Sequence, residues 1–182
     1  MKKNILTAAV FGLLMTASSF AQTTMVGGEQ MYPKKNIVEN AVNSEDHTTL
    51  VAAVKAADLV GALQGDGPFT VFAPVNDAFE NLPEGTVATL LKPENKGALT
   101  NVLTYHVVSG SYDFDAIAKL IKSGKGKATL TSLNGGKLTA SMNGDHNIML
   151  TDENGGKANI SVYDVYQSNG VIHVIDSVVL PK

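Results

Sequence analysis

Four histidines, His47, His106, His146 and His173, are the side chains of this sequence best suited to moving a proton or holding a metal near neutral pH. No two of them share a zinc-ligand spacing. The chain has no cysteine, and so neither a thiolate nucleophile nor a thiolate ligand. It also lacks a G-x-S-x-G elbow, an H-E-x-x-H pair and a G-x-x-x-x-G-K-[ST] phosphate loop. Gly124-Lys125-Gly126-Lys127 has the lysines of such a loop without its first glycine, and reads as a solvated basic loop. Asp152-Glu153-Asn154 gathers oxygens, but two glycines follow where a calcium loop needs further alternating ligands and a distant Glu. It reads as a turn. A Ser–His–Asp triad is defined by geometry rather than spacing, and nothing in the sequence points to one. The expectation is a non-enzyme with no metal and no cofactor.

The histidines then fall to structural roles. His173 sits between Ile172 and Val174 in a run apolar on both faces, and His106 stands between apolar pairs. Both read as core residues whose ring nitrogens are hydrogen-bonded, because an unpaired buried polar atom is costly. His47, beside Glu45 and Asp46, reads as solvated surface, and His146 as part of a hairpin turn.

The positioning elements change texture along the chain. Asn36-x-x-Glu39 has capping-box spacing and predicts a helix with Ile37, Val38, Ala41 and Val42 on its buried side. Helical periodicity recurs from Thr48 to Leu63. Phe69–Phe72 predicts a strand that stops at Pro74, and Asn76 reads as the N-cap of the helix that follows. Pro93 suits the first position of a further helix, which carries Leu99, Val102 and Leu103 into a strand beginning at Tyr105. Another helix spans Phe114–Ile121. Beyond it, strand-like runs at 128–133, 137–142, 147–151 and 158–163 alternate with Asn/Gly turns, the signature of a β-meander. Asn169-Gly170 opens a last β-branched strand. Helices first and strands later predict an α+β domain.

Composition sets outer bounds. Lys2 and Lys3, the apolar run Ile5–Met15 and Ser19-Phe20-Ala21 have the layout of a signal peptide over residues 1–21. The apolar run is too short to span a membrane comfortably, and no second one follows. Cleavage after Ala21 leaves 161 of the 182 residues, one domain's worth, with a formal charge moving from −3 to −5. Residues 22–35 read as a loosely held leader and 36–182 as the domain. There is no arginine, the preferred donor to phosphates and base edges, which argues against nucleic acid. Secretion or periplasmic delivery is the expectation.

Three ordered strings carry a resemblance: TVFAPVNDAF at Thr70–Phe79, LTYHVV at Leu103–Val108 and NGVIHVIDSVVL at Asn169–Leu180. Together they resemble the fasciclin domain family over roughly residues 36–182. The resemblance implies a compact α+β wedge, with N-terminal helices packed on a strand-rich sandwich or meander. It also implies a role in adhesion to cell-surface or matrix proteins or polysaccharide. In animal matrix members, a Tyr-His pair and an Asp-Ile pair are associated with receptor contact. The matching positions here are Tyr105-His106 and Asp164-Val165, the latter one methylene short of the pattern. These four are the expected partner-binding residues, with weak self-association as a route to avidity. The competing expectation is a small-ligand binder with an apolar pocket between helices and sheet.

Overall fold

The computed structural model describes residues 23–182. The predicted signal peptide lies outside the described residues. Residues read as a loose leader instead form a hairpin, β1 (Thr24–Val26) with β2 (Glu29–Met31), and Val26 and Met31 are buried. Their apolar side chains recur at the two strand ends, a signal too short to separate from a polar leader.

The helical layer follows. Helix α1 (Ile37–Ala41) carries the predicted capping box: Asn36 Oδ1 accepts from Glu39 N–H at 2.9 Å and Glu39 Oε2 from Asn36 N–H at 2.8 Å. The periodic stretch after it is two helices, α2 (Thr48–Ala56) and α3 (Val60–Leu63), parted at Asp58, whose φ is +61°. Strand β3 (Phe69–Pro74) leads into α4 (Asn76–Glu80) and α5 (Thr86–Leu90). Asn76 is not the cap of its own helix. Its Oδ1 accepts from Thr49 N–H at 3.0 Å and its Nδ2 donates to Glu45 O at 2.8 Å, so it caps α2 from across the fold.

Helix α6 (Lys96–Tyr105) takes in the first residue of the expected strand, and β4, Val107–Ser109, begins two residues later than expected. Tyr105 is the last helical residue and His106 the C-cap, its ring turned back to bond Val102 O one turn earlier. Helix α7 (Phe114–Ser123) is capped by Asp113, whose Oδ1 accepts from Ala116 N–H at 2.8 Å. The meander comes next: β5 (Lys127–Thr131), β6 (Lys137–Met142), β7 (Ile148–Thr151) and β8 (Lys157–Gln167), then β9 (Gly170–Ile175).

All seven strands from β3 to β9 form one sheet, ordered β4-β3-β9-β8-β7-β6-β5. The β3–β9 pair is parallel and the other pairs are antiparallel. The sheet curls until its ends nearly meet, with a bridge between Val108 and Ser132 and Leu133 N–H donating to Val107 O at 2.8 Å. The expected α+β domain, with helices packed on a strand-rich sandwich or meander, is thus observed, the meander joining β3, β4 and β9 in one nearly closed sheet. Its interior holds the largest apolar cluster, with Phe72, Ile117, Leu138, Ile148, Leu150 and Ile175. A second cluster joins β3, β8 and β9 to the hairpin and α1, and a third packs α2 against α6. Gly170 allows β9 to start against β3, since a Cβ there would run into the Phe69 carbonyl.

Candidate functional site

The Tyr105-His106 pair lies at the seam between α6 and the curled sheet. Tyr105 is 0% exposed; its hydroxyl donates to Lys137 O at 2.8 Å and accepts from Glu153 N–H at 3.2 Å. Desolvation, with Glu153 and Asp152 nearby, pushes its pKa to about 12, so the hydroxyl keeps its proton. His106 is 2% exposed. Its Nδ1–H donates to Val102 O at 2.9 Å, one turn back, while Nε2 accepts from Val179 N–H at 3.3 Å. That pattern fits only the neutral ring, and burial lowers its pKa to about 4. Two adjacent side chains thus tie α6 to three distant segments. Neither presents its ring to solvent.

Asp164 and Val165 lie on β8 where the pairing with β9 shifts register. Val165 is buried in the second cluster. Asp164 holds φ at +55°, an uncommon conformation for a residue with a side chain. Its Oδ1 accepts from Phe114 N–H at 2.7 Å, so it and Asp113 both serve the start of α7. Asp164 N–H also points to His173 Nδ1 at 3.4 Å, and His173 Nε2–H donates to Tyr112 O at 2.7 Å. His173 is fully buried, stacked on Phe72, with its pKa lowered by desolvation.

The four predicted residues do not converge on one surface. Of them, only Asp164 is partly exposed. The exposed aromatic nearby is one that the sequence reading passed over: Tyr166, 45% exposed, with its hydroxyl 3.4 Å from Asp113 Oδ2. Strand alternation was the available signal, since a buried Val165 turns Tyr166 outward. His47, read as solvated, is buried instead. Its Nδ1 pairs with Ser44 Oγ at 2.8 Å, whereas Nε2 has no hydrogen-bond partner. Desolvation lowers its pKa, against the opposing pull of the Ala73 backbone and of Asp46. The acidic neighbours made that position look wet, but the 3₁₀ turn Glu45–His47 directs the imidazole inward.

An apolar cavity of about 100 Å³ lies between the helical layer and the sheet, lined by Leu50, Val54, Leu63, Val71, Leu103 and Ile172 among others. His47 and His106 reach its wall. Ligand sites for drug-sized molecules run to roughly 300–1,000 Å³, so this one is small. Among the described residues no cluster of three or more His, Cys, Asp or Glu is placed to hold a metal ion.

A family model described as "Fasciclin domain" matches residues 45–181. The chain belongs to the fasciclin domain family. It is 52% identical over 145 residues to protein sll1483 of Synechocystis sp., covering 80% of this chain and 73% of that protein. It is 37% identical over 148 residues to the transforming growth factor-beta-induced protein ig-h3 of Sus scrofa, covering 80% of this chain but 20% of that larger protein. Immunogenic protein MPB70 of Mycobacterium bovis is 34% identical over 146 residues, covering 78% of this chain and 66% of that protein. The fold is shared with the fasciclin domain pair of the insect cell adhesion molecule Fasciclin I, at a TM-score of 0.71 and 16% identity over 80% of this chain and 51% of that one. The wedge read from three strings is thus the observed fold.

Proposed function

We propose that the chain is an exported, non-catalytic interaction module that adheres to cell-surface or matrix material, polysaccharide included. The observation that supports this most is how the reactive side chains are used. Tyr105, His106 and His173 are buried, and their polar atoms are spent on internal hydrogen bonds. The result is a rigid scaffold, and a rigid scaffold works through what it displays. The signal-peptide layout of residues 1–21 supports export. Among the described residues no helix is long and apolar enough to cross a membrane. An insect cell adhesion molecule carries the same fold.

Within this reading, Asp164 and Tyr166 make the receptor-facing contact, with Val165 buried between them, while Tyr105 and His106 tie α6 to the sheet elsewhere. Tyrosine is a common anchor at interfaces because it offers a large ring at low entropic cost. The test is binding of the full chain to its producing cells and to arrayed glycans and matrix proteins. Tyr166→Ala should weaken binding severalfold with an unchanged thermal melt. Tyr105→Phe should instead lower the melting temperature and leave binding intact below it. Equal binding by wild type and Tyr166→Ala would sink the contact assignment.

A second reading follows from the cavity, which is apolar and lies where a small-ligand site was expected. Its volume would have to grow for a ligand to enter. A thermal upshift of the full chain with an apolar probe such as a fatty alcohol, lost on filling the cavity, would favour it.

A further inference from the structure

The outer face of the meander differs in chemistry from the rest of this acidic protein. From residue 116 to residue 144 there is no Asp or Glu; Lys127 and Lys137 stand on β5 and β6 themselves, and Lys119, Lys122 and Lys125 lie on α7 and the turn that leads into β5. All five are exposed. Among the described residues the only salt bridge is Lys96 with Asp58, so none of the five is paired to a carboxylate.

The sheet register shows what lies between these charges. Lys127 faces Ser141, Thr129 faces Thr139, and Thr131 faces Lys137 across β5 and β6. Thr139 then faces Thr151, which faces Lys157, across β7 and β8. The alternate residues Ala128, Leu130, Leu138, Ala140 and Leu150 point into the core, which turns the threonines, Ser141 and the lysines outward. The exposed face is therefore a lane of hydroxyls, interrupted by Met149 between Ser141 and Asn159, with lysines at its margins. Carboxylates come only at its boundary. Glu153 Oε1 accepts from Lys137 N–H at 3.3 Å, Asp176 holds Asn159, and Asp145 lies in the turn between β6 and β7.

At the end of this lane, the turn from α7 into β5 displays three of the lysines. Gly126 N–H donates to Ile121 O at 2.9 Å and Gly124 N–H to Leu120 O at 2.8 Å, which fixes the turn. Between them Lys125 takes φ of +57°, in the place where glycine or asparagine is usual.

We propose that this face, with the α7–β5 lysine turn, binds an acidic polysaccharide bearing carboxylates or sulfates. The hydroxyl lane hydrogen-bonds the sugar rings and the lysines neutralise the acid groups. Along β5 the lysines at opposite corners lie four residues apart in register, about 13 Å, which calls for a chain of sugars rather than a single ring. A membrane fits less well, because the apolar side of α7, with Ile117 and Ile121, is already committed to the core. Nucleic acid fits less well in a chain without arginine. The inference rests on the interaction-module reading and narrows its partner.

The test loads the full chain on polygalacturonate, dextran sulfate and neutral dextran resins and elutes with a salt gradient at pH 7. Retention on at least one acidic resin and none on dextran is expected. K122Q/K125Q/K127Q/K137Q should lose at least tenfold in affinity and flatten the salt dependence, because fewer counterions are released. K34Q/K55Q/K92Q/K182Q removes the same charge elsewhere and should bind as wild type. Both variants must melt as wild type does. Equal loss in both variants would make the effect one of net charge and overturn the assignment. Binding to phosphatidylglycerol vesicles without retention on either acidic resin would overturn it too. A wild-type chain that binds its producing cells but neither acidic resin would leave the module reading standing and remove this one.

Discussion

The side chains that looked chemically useful are those that the fold consumes. His106 shows the consequence for pH. Its pKa is 6.5 in the unfolded chain and about 4 in the folded one, so between those values the unfolded chain takes up a proton that the folded chain refuses. The stability that depends on a neutral His106 is complete above about pH 6.5 and falls as pH drops toward 4. The shift corresponds to about 3 kcal/mol. His47 and His173, also lowered by burial, act in the same direction. Urea melts at pH 7 and pH 4.5 should show this loss. His106→Gln can keep one donor and one acceptor without a titrating ring, so its loss over the same interval should be smaller. Identical pH dependence in variant and wild type would remove His106 as the cause. Tyr105→Phe asks a simpler question. It leaves Lys137 O and Glu153 N–H without their partner and should cost about 1–3 kcal/mol at any pH below the hydroxyl's pKa of about 12.

Between elements, asparagines make joints that no local pattern announces. Asn169 Oδ1 accepts from Ile37 N–H at 3.0 Å, and its Nδ2 donates to Leu63 O at 2.9 Å and Gly65 O at 2.8 Å. One side chain thus closes the start of α1 and the end of α3 onto the β8–β9 turn. Asn169→Ala should cost about 3 kcal/mol by leaving those groups buried and unpaired. Asn169→Asp keeps the acceptor but turns a carboxylate oxygen toward Leu63 O and Gly65 O, so it should cost at least as much as Asn169→Ala; a neutral effect of both would refute the joint. Asn76→Ala should fray α2, seen as faster amide exchange at Thr49, with α4 unaffected. Single elements were legible in the sequence because their signals are local: the Asn36–Glu39 box, Pro74 at the end of β3, the Asn/Gly turns between the strands of the meander. The joints were not, because Asn76 and Asn169 are good turn and cap residues in themselves and their actual partners lie 27 to 132 positions away. The candidate site suffered likewise. Asp164 was legible as a turn-prone residue, but its link to Phe114 exists only once β8 and α7 are folded together.

At the scale of the whole molecule, the parallel β3–β9 pair is the hinge of the architecture, and it was the least legible feature of all. Two strands about a hundred residues apart meet in register from Phe69–Gly170 to Pro74–Ile175. One side of that pair closes into the curled sheet, filled by large apolar side chains. The other side carries helices of four to ten residues, most of them too short to persist without packing. The cavity of about 100 Å³ and the unpartnered His47 Nε2 both lie under that helical side. Packing defects gathered in one layer make it the layer that opens first. Native-state hydrogen exchange should therefore give smaller opening free energies for amides of α2 and α3 than for β3, β8 and β9. A single shared value across both layers would show one cooperative unit instead. Val54→Ile decides whether the cavity is the cause. Val54 lines the void, and one added methylene filling it should raise stability by up to about 0.8 kcal/mol and slow exchange in α2 and α3 selectively. If the void is instead closed by rigid neighbours, the same methylene overpacks the site, and the variant melts earlier with the helical layer exchanging faster.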